Sequence, residues 1–208
     1  MQVNMKPRPV GANNTMFAFI TPIFVKQHEG TQEMNEAIKA FVLADRAKSL
    51  GEQASNRGGW HSSRDLLQRL GEPHAPRLGQ MFFEGIKTVM GMLVENADFS
   101  GKAAVECWAN VNEKGDWNES HIHPNCPWSG VYYPATDTRP EAGGAIRFTE
   151  PRIQALMLAH PLNPFHATNN VRIRPVPGMM VVFPSFLYHA VDPYLGEEPR
   201  ISIAINLH

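Results

Sequence analysis

Two cysteines, Cys107 and Cys126, in 208 residues are too few for a disulfide framework, and they fit ordinary thiols in a reducing compartment, although the sequence leaves a bond between them open. No apolar run approaches the roughly 18 to 20 residues that a membrane span requires, and residues 1–14 lack the basic flank and apolar core of a secretion signal. The expectation is a soluble cytoplasmic protein with no membrane partner. Excess charge of one sign is absent too, with 19 Lys and Arg against 20 Asp and Glu and no basic run or acidic tail. Nothing in that balance favours nucleic acid as a partner. Repeats, low-complexity tracts and long linkers are also missing, so the chain reads as one domain long enough to bury a substantial core.

What is present is a change of rhythm along the chain. Residues 1–14, with Pro7, Pro9, Gly11 and two asparagines, suggest a loose arm. Residues 15–100 suggest supporting elements: an apolar extended segment at 16–25, then helices at 33–50 and 77–95. The second helix carries Leu78, Met81, Phe82, Ile86, Val89, Met90 and Leu93 at helical spacing. Both helices are expected to pack outside a sheet. Between them Ser55-Asn56-Arg57-Gly58-Gly59-Trp60-His61-Ser62 is too glycine-rich for a helix. It is either a connecting turn or a loop at the mouth of a site.

From 101 to 208 the pattern becomes short strands separated by Gly, Pro and Asn, at 103–110, 120–123, 128–133, 144–148, 171–174, 179–183 and 200–206. Residues 158–170 suggest one long surface loop. Such spacing predicts a mainly β fold with flanking helices, a double-sheet β-sandwich or jelly roll.

Within this region His121-Ile122-His123-Pro124 is answered by His189, which follows Phe183-Pro184-Ser185. Residues i and i+2 of a strand face the same way, so His121 and His123 converge on one point, and a later strand need add only one ligand. His28, His61, His74, His160, His166 and His208 lack such context and are assigned to structural or exposed roles. The run Pro177 to Pro184 reads as a turn feeding a buried strand whose end presents His189, with the strand of Arg200 alongside. Arg200 and Ser202 share a face of the alternating run Arg200-Ile201-Ser202-Ile203-Ala204-Ile205-Asn206. A forked guanidinium beside a hydroxyl makes a receptor for a carboxylate. Trp108, Asn110 and Asn206 are placed to line the same cavity, Asn110 toward a cosubstrate or in a hydrogen-bonded core role. Arg147 and Arg152 either face the pocket or stay on the surface.

These residues resemble the Fe(II)- and 2-oxoglutarate-dependent oxygenases, whose double-stranded β-helix carries a His-x-Asp/Glu pair, a distal His and then Arg-x-Ser. Val131-Tyr132-Tyr133, Gly143-Gly144-Ala145-Ile146-Arg147-Phe148 and His189-x-Val191-x-Pro193 are similar to strands of the prolyl-hydroxylase-like branch. The likeness is closest to a little-characterised group of bacterial and phage members in which Gly-Gly-Trp, Trp-x-Asn, His-x-His-Pro, Ser-Gly-Val-Tyr-Tyr and Phe-Pro-Ser recur. It implies Fe(II) on His121, His123 and His189, and 2-oxoglutarate held by Arg200 and Ser202 with Tyr133 on the far carboxylate. It also implies oxidation of a C–H bond in a small-molecule or peptide substrate, with succinate and CO2 released.

The sequence departs from that pattern at His123, where an acidic residue is usual. Two alternatives remain open at the third ligand: three histidines, or Glu119 replacing His123, since Glu119, His121 and His123 alternate; Asp116 is a poorer candidate. Three histidines also suit zinc, so a cupin-type metalloenzyme is a competing expectation. Gly115 followed by His121-x-His123 fits half of a cupin pattern, but Pro127 and Trp128 stand where its acidic residue belongs. A non-catalytic jelly roll that binds through Trp108, Trp117, Trp128 and Tyr132 is a third. Dimerisation, giving a homodimer, is left undecided by the sequence.

Overall fold

The computed structural model describes residues 6–7, 19–95, 104–157, 160, 162 and 169–208. The elements run β1 (Lys6–Pro7), β2 (Phe24–Gln27), α1 (Gln32–Arg46), β3 (Asn56–Arg57), β4 (Trp60–His61), α2 (Leu66–Leu70), α3 (His74–Leu93) and β5 (Val94–Glu95). They continue through β6 (Val105–Asn112), β7 (Trp117–His121), β8 (Trp128–Ala135), β9 (Ile146–Thr149), β10 (Asn170–Ile173), β11 (Met179–Pro184), β12 (His189–Val191) and β13 (Arg200–Leu207). A major sheet has the order β2-β11-β8-β13-β6-β4, and a minor sheet the order β10-β9-β12-β7-β3. These two facing sheets with helices outside give the mainly β, double-sheet architecture that the strand spacing predicts, and fit the double-stranded β-helix that the resemblance implies.

Alternation along the major sheet divides its residues between two environments. On β13, Ile201, Ile203 and Ile205 turn outward and join Tyr132, Met180 and Val182 in one core with Ile38 and Val42 of α1 and Leu78, Phe82, Ile86 and Val89 of α3. The spacing of those helical residues puts one apolar stripe of each helix on the sheet. On the opposite face, Arg200, Ser202, Ala204 and Asn206 point between the sheets, where Val131, Tyr133, Val181 and Phe183 meet Ile146 and Phe148 of β9. A period of two thus yields one apolar face and one mixed face, and the mixed face holds the polar groups.

Several expectations need correction. The first helix stops at Arg46 rather than residue 50, and of the extended segment expected at 16–25 the part described, from residue 19, forms a strand only from Phe24. Helix α2 carries no clear periodicity in five residues and went unanticipated. The strand expected to end at His189 ends at Pro184 in the major sheet; after a turn His189 opens β12 in the minor sheet. Strand β13 therefore lies between β8 and β6, not beside β12. The arm at 1–14 and the loop at 158–170 fall mostly outside the described residues, though Lys6–Pro7 pairs with Val94–Glu95 and Asn170 begins β10. No helix among the described residues is long and apolar enough to cross a membrane.

Candidate metal and cosubstrate site

The two sheets enclose a cavity of about 550 Å3. On its minor-sheet side His121 closes β7 and stands opposite His189 of β12 in register. His123 lies just past the strand, its N–H donating to Ser185 O at 3.1 Å. Ring centroids are 4.3 Å apart for His121 and His189, and 5.1 Å for each of the pairs His121–His123 and His123–His189. One ring nitrogen from each lies within 4.8 Å of the other two, the only such three-residue group among the described residues.

Backbone carbonyls fix the tautomers of two of these rings. Nδ1 of His121 is 2.7 Å from Glu119 O, and Nδ1 of His189 is 2.9 Å from Leu187 O. A carbonyl only accepts, so each Nδ1 carries the proton and each Nε2 keeps a lone pair for a metal. Burial pushes the pKa values of all three down, that of His189 well below the ordinary value, and His123 falls to about 4 with help from His121 and Arg64. Neutral, convergent and partly fixed donors fit a divalent ion.

Glu119 is not among these donors. The pairing of β7 with β12 shifts between His189↔His121 and Val191↔Asn118, so one extra residue is accommodated on β7. This bulge breaks the alternation. Asn118 is buried beside the site, while the Glu119 carboxylate is half-exposed and receives Arg57 Nε at 3.0 Å and Nη2 at 2.5 Å. Asp116 instead accepts from Glu113 N.

Across the cavity Arg200 is fully buried. Its Nε donates to Gly144 O at 3.0 Å, and Nη1 donates to Asn112 Oδ1 at 3.2 Å and Ser202 Oγ at 3.4 Å. None of the ion pairs among the described residues includes it. A buried guanidinium without a counter-ion is costly. Beside it the Tyr133 hydroxyl is buried with no hydrogen-bond partner, and burial raises its pKa to about 12, which keeps it protonated and a donor. Arg200 Cζ is 5.1 Å from the Tyr133 ring centroid. An unpaired cation and an orphaned hydroxyl side by side fit a carboxylate that the chain itself does not supply. Asn110, directly opposite Ser202 in register, lines the same end and its side chain makes no hydrogen bond among the described residues. The seven residues that the sequence singles out as metal or cosubstrate contacts thus line one cavity.

Other expectations divide. Asn206 lines the cavity, its Oδ1 accepting from Ser129. His61, assigned to a structural role, lines it as well and stacks on Trp108 at 5.5 Å and 15°; nothing in a lone histidine after Gly-Gly-Trp signals that. His208, with Glu106 and Arg64, forms part of the rim. Arg147 pairs with Asp192, and Arg152 with Glu150; neither lines the cavity. Trp128 and Tyr132 lie in the outer core, which removes them as a binding surface. Both cysteines are free.

The depressed histidine pKa values carry a stability consequence. Below the ordinary histidine pKa of about 6.5 the unfolded chain binds protons that the folded metal-free chain refuses, so stability falls as pH drops. The loss runs from about pH 6.5 toward 4, where His123 itself takes a proton. It should reach the order of 1–2 kcal/mol by pH 5 for that residue. Melts of chelated protein between pH 7 and 5 should show Tm dropping, and His123→Gln should flatten the slope; equal slopes would refute the assignment.

Comparison with known proteins agrees with this geometry. Residues 106–206 match the family described as "Putative 2OG-Fe(II) oxygenase". No curated protein sequence matches the chain. Among solved structures, a Pseudomonas putida prolyl-4-hydroxylase superposes with a TM-score of 0.61 at 19% identity, covering 89% of this chain and 91% of that one. A Trichoplax adhaerens prolyl hydroxylase in complex with a hypoxia inducible factor peptide fragment gives 0.58 at 14% identity, covering 89% and 82%. HygX from Streptomyces hygroscopicus, with nickel and 2-oxoglutarate bound, gives 0.56 at 11% identity, covering 90% and 82%. Residues 106–206, just under half of the chain, are thus similar to the 2OG-Fe(II) oxygenases, and the likeness to the solved structures, at 19% identity or less, is one of fold.

Proposed function

We propose that this protein hydroxylates a C–H bond of a small-molecule or peptide substrate while 2-oxoglutarate and O2 are converted to succinate and CO2. The observation that carries the residue assignment is the buried, uncompensated Arg200 sharing one cavity with three convergent histidines. His121, His123 and His189 would hold Fe(II) through one ring nitrogen each. Arg200, Ser202 and Tyr133 would hold the distal carboxylate of 2-oxoglutarate, with Asn110 beside them. The bound pair supplies O2 activation and hydrogen abstraction, chemistry that belongs to the cofactors.

The protein's part is placement. Three protein ligands would leave room on such an ion for exogenous groups. Arg200 and Tyr133 fix the far end of a diacid, so its reactive end is oriented rather than merely retained. Val131, Phe183 and Ile146 wall the space between with apolar surface, which limits water near the reacting bond. The substrate reaches the cavity past Arg64, Glu106 and His208. No side chain is needed as a general base.

The test is succinate formation by purified protein with Fe(II), ascorbate, O2 and 2-oxoglutarate, with and without chelator. Iron-dependent turnover is expected even without a primary substrate, at a slow rate. Bound metal without keto-acid binding would instead favour a three-histidine metalloenzyme of cupin type, and failure to hold metal would favour a non-catalytic binding module.

A further inference from the structure

The motif Ser55-Asn56-Arg57-Gly58-Gly59-Trp60 forms a clamp whose product is a single hydroxyl beside the metal ligands. Asn56 ties the loop together: its Oδ1 accepts from Ala54 N at 2.7 Å, and its Nδ2 donates to Gly59 O at 2.7 Å and Glu52 O at 3.3 Å. Asn56 and Arg57 pair with Asn118 and Trp117 as strands β3 and β7, and Glu119 N donates to Ser55 O at 2.8 Å. The two glycines permit the approach. Gly58 has φ +83° and a Cβ there would overlap the Asp116 carboxylate, while one on Gly59 would lie 2.8 Å from Val111 O. Trp60 Nε1 anchors the far side on Ser49 O at 3.0 Å.

So held, Ser55 Oγ lies 3.4 Å from His121 Nε2, the nitrogen that faces the metal position, and accepts from Asn118 Nδ2 at 3.2 Å. The hydrogen bookkeeping is determined. His121 Nδ1 carries its ring proton toward Glu119 O, so Nε2 is a bare acceptor, and the Ser55 hydroxyl donates to it. A metal that takes the Nε2 lone pair deprives that hydroxyl of its acceptor, and Asn118 occupies a lone pair rather than the proton.

We infer that Ser55, oriented by Asn118, is the hydrogen-bond donor to the exogenous anionic ligand bound beside His121, an inference that rests on the three-histidine reading above. The electrostatics give this donor a purpose. With His123 in place of an acidic residue, the protein supplies no negative charge to the ion, so anionic character must come from the exogenous ligand. A neutral donor next to that ligand stabilises it without competing for the metal. The bulge that admits Asn118 and turns Glu119 outward serves the same end, because it exchanges a carboxylate for the amide that aims Ser55.

The probe is azide binding to the Co(II)-loaded protein, followed by its visible d–d absorption, in wild type, Ser55→Ala and Ser55→Thr. Ser55→Ala should raise the azide Kd about tenfold and shift the bands of the azide complex, as expected for one hydrogen bond to a charged acceptor. Co(II) affinity and Tm should stay within about threefold and a few degrees of wild type, and Ser55→Thr should recover most of the azide affinity. Unchanged azide affinity and spectrum in Ser55→Ala would overturn the inference and leave the three-histidine site standing. Loss of Co(II) affinity together with Tm, unrescued by threonine, would make Ser55 merely structural and overturn it too. Wild-type protein that fails to bind Co(II) would remove the metal site and this inference with it.

Discussion

Replacing His189 by alanine is expected to weaken Fe(II) or Mn(II) binding by more than about 100-fold, the upper range reached when only an outer partner of a ligand is lost. The argument is geometric before it is electrostatic. Nε2 of His189 is presented from a buried ring whose Nδ1 is tied to Leu187 O, so its lone pair is oriented before any ion arrives. Alanine leaves His121 and His123 as a two-donor site, and no carboxylate stands close enough to join them: the described residues contain no other three-donor grouping. His61→Ala is the internal control, because that ring stacks on Trp108 and gives its Nδ1 to Ser62 O without belonging to the donor group. Dialysis against Mn(II) with detection of bound ion by electron paramagnetic resonance would read both variants. Retention of metal by His189→Ala at wild-type affinity would refute the three-histidine site.

How far the sequence reveals this site depends on which physical signal each residue carries. Arg200, Ser202 and Asn206 were legible because β13 pairs with β6 over eight residues without a break, which imposes a strict period of two, and Ile201, Ile203 and Ile205 mark the opposite face. His121 and His123 were legible as a pair for a different reason than the one alternation supplies. His121 ends its strand and His123 lies in the following turn, so the two rings meet through a turn anchored on Ser185 rather than along a continuous ladder. Where a ladder is broken, pattern reading misleads: Glu119 is in phase with His121 on paper, and the bulge opposite β12 puts Asn118 there instead.

The transfer of the chain from the major sheet to the minor one between Pro184 and His189 is likewise invisible in a continuous apolar stretch. It is a long-range outcome of which edges are available for pairing. The loop from Ser55 to Ser62 shows a third case. Its glycines announced an unusual backbone, but the identity of the group they deliver emerges only when Asn118 arrives from a distant strand. Local propensity specifies the elements, whereas the cavity is assembled from pairings between residues far apart in sequence.

Arg200→Met is expected to weaken 2-oxoglutarate binding by about 30-fold or more, the low end of the 2–5 kcal/mol that follows removal of one partner from a buried charge pair. Its magnitude comes from the environment of the guanidinium. Three neutral acceptors, Gly144 O, Asn112 Oδ1 and Ser202 Oγ, orient Arg200 without neutralising it. Burial lowers its pKa, yet an arginine remains charged at neutral pH. The folded protein therefore maintains a positive charge in a water-poor pocket at a cost in stability, and a dianion recovers that cost on binding. Methionine preserves the bulk of the stem and removes the charge, so the loss should fall on the cosubstrate alone. Calorimetric titration of the Mn(II) protein with 2-oxoglutarate would show the weaker Kd, while Mn(II) affinity stays near wild type because none of the three histidines hydrogen-bonds to Arg200. A variant that binds 2-oxoglutarate as tightly as wild type would mean that the diacid is not held by position 200, and the orientation assigned to it in the cavity would have to be abandoned.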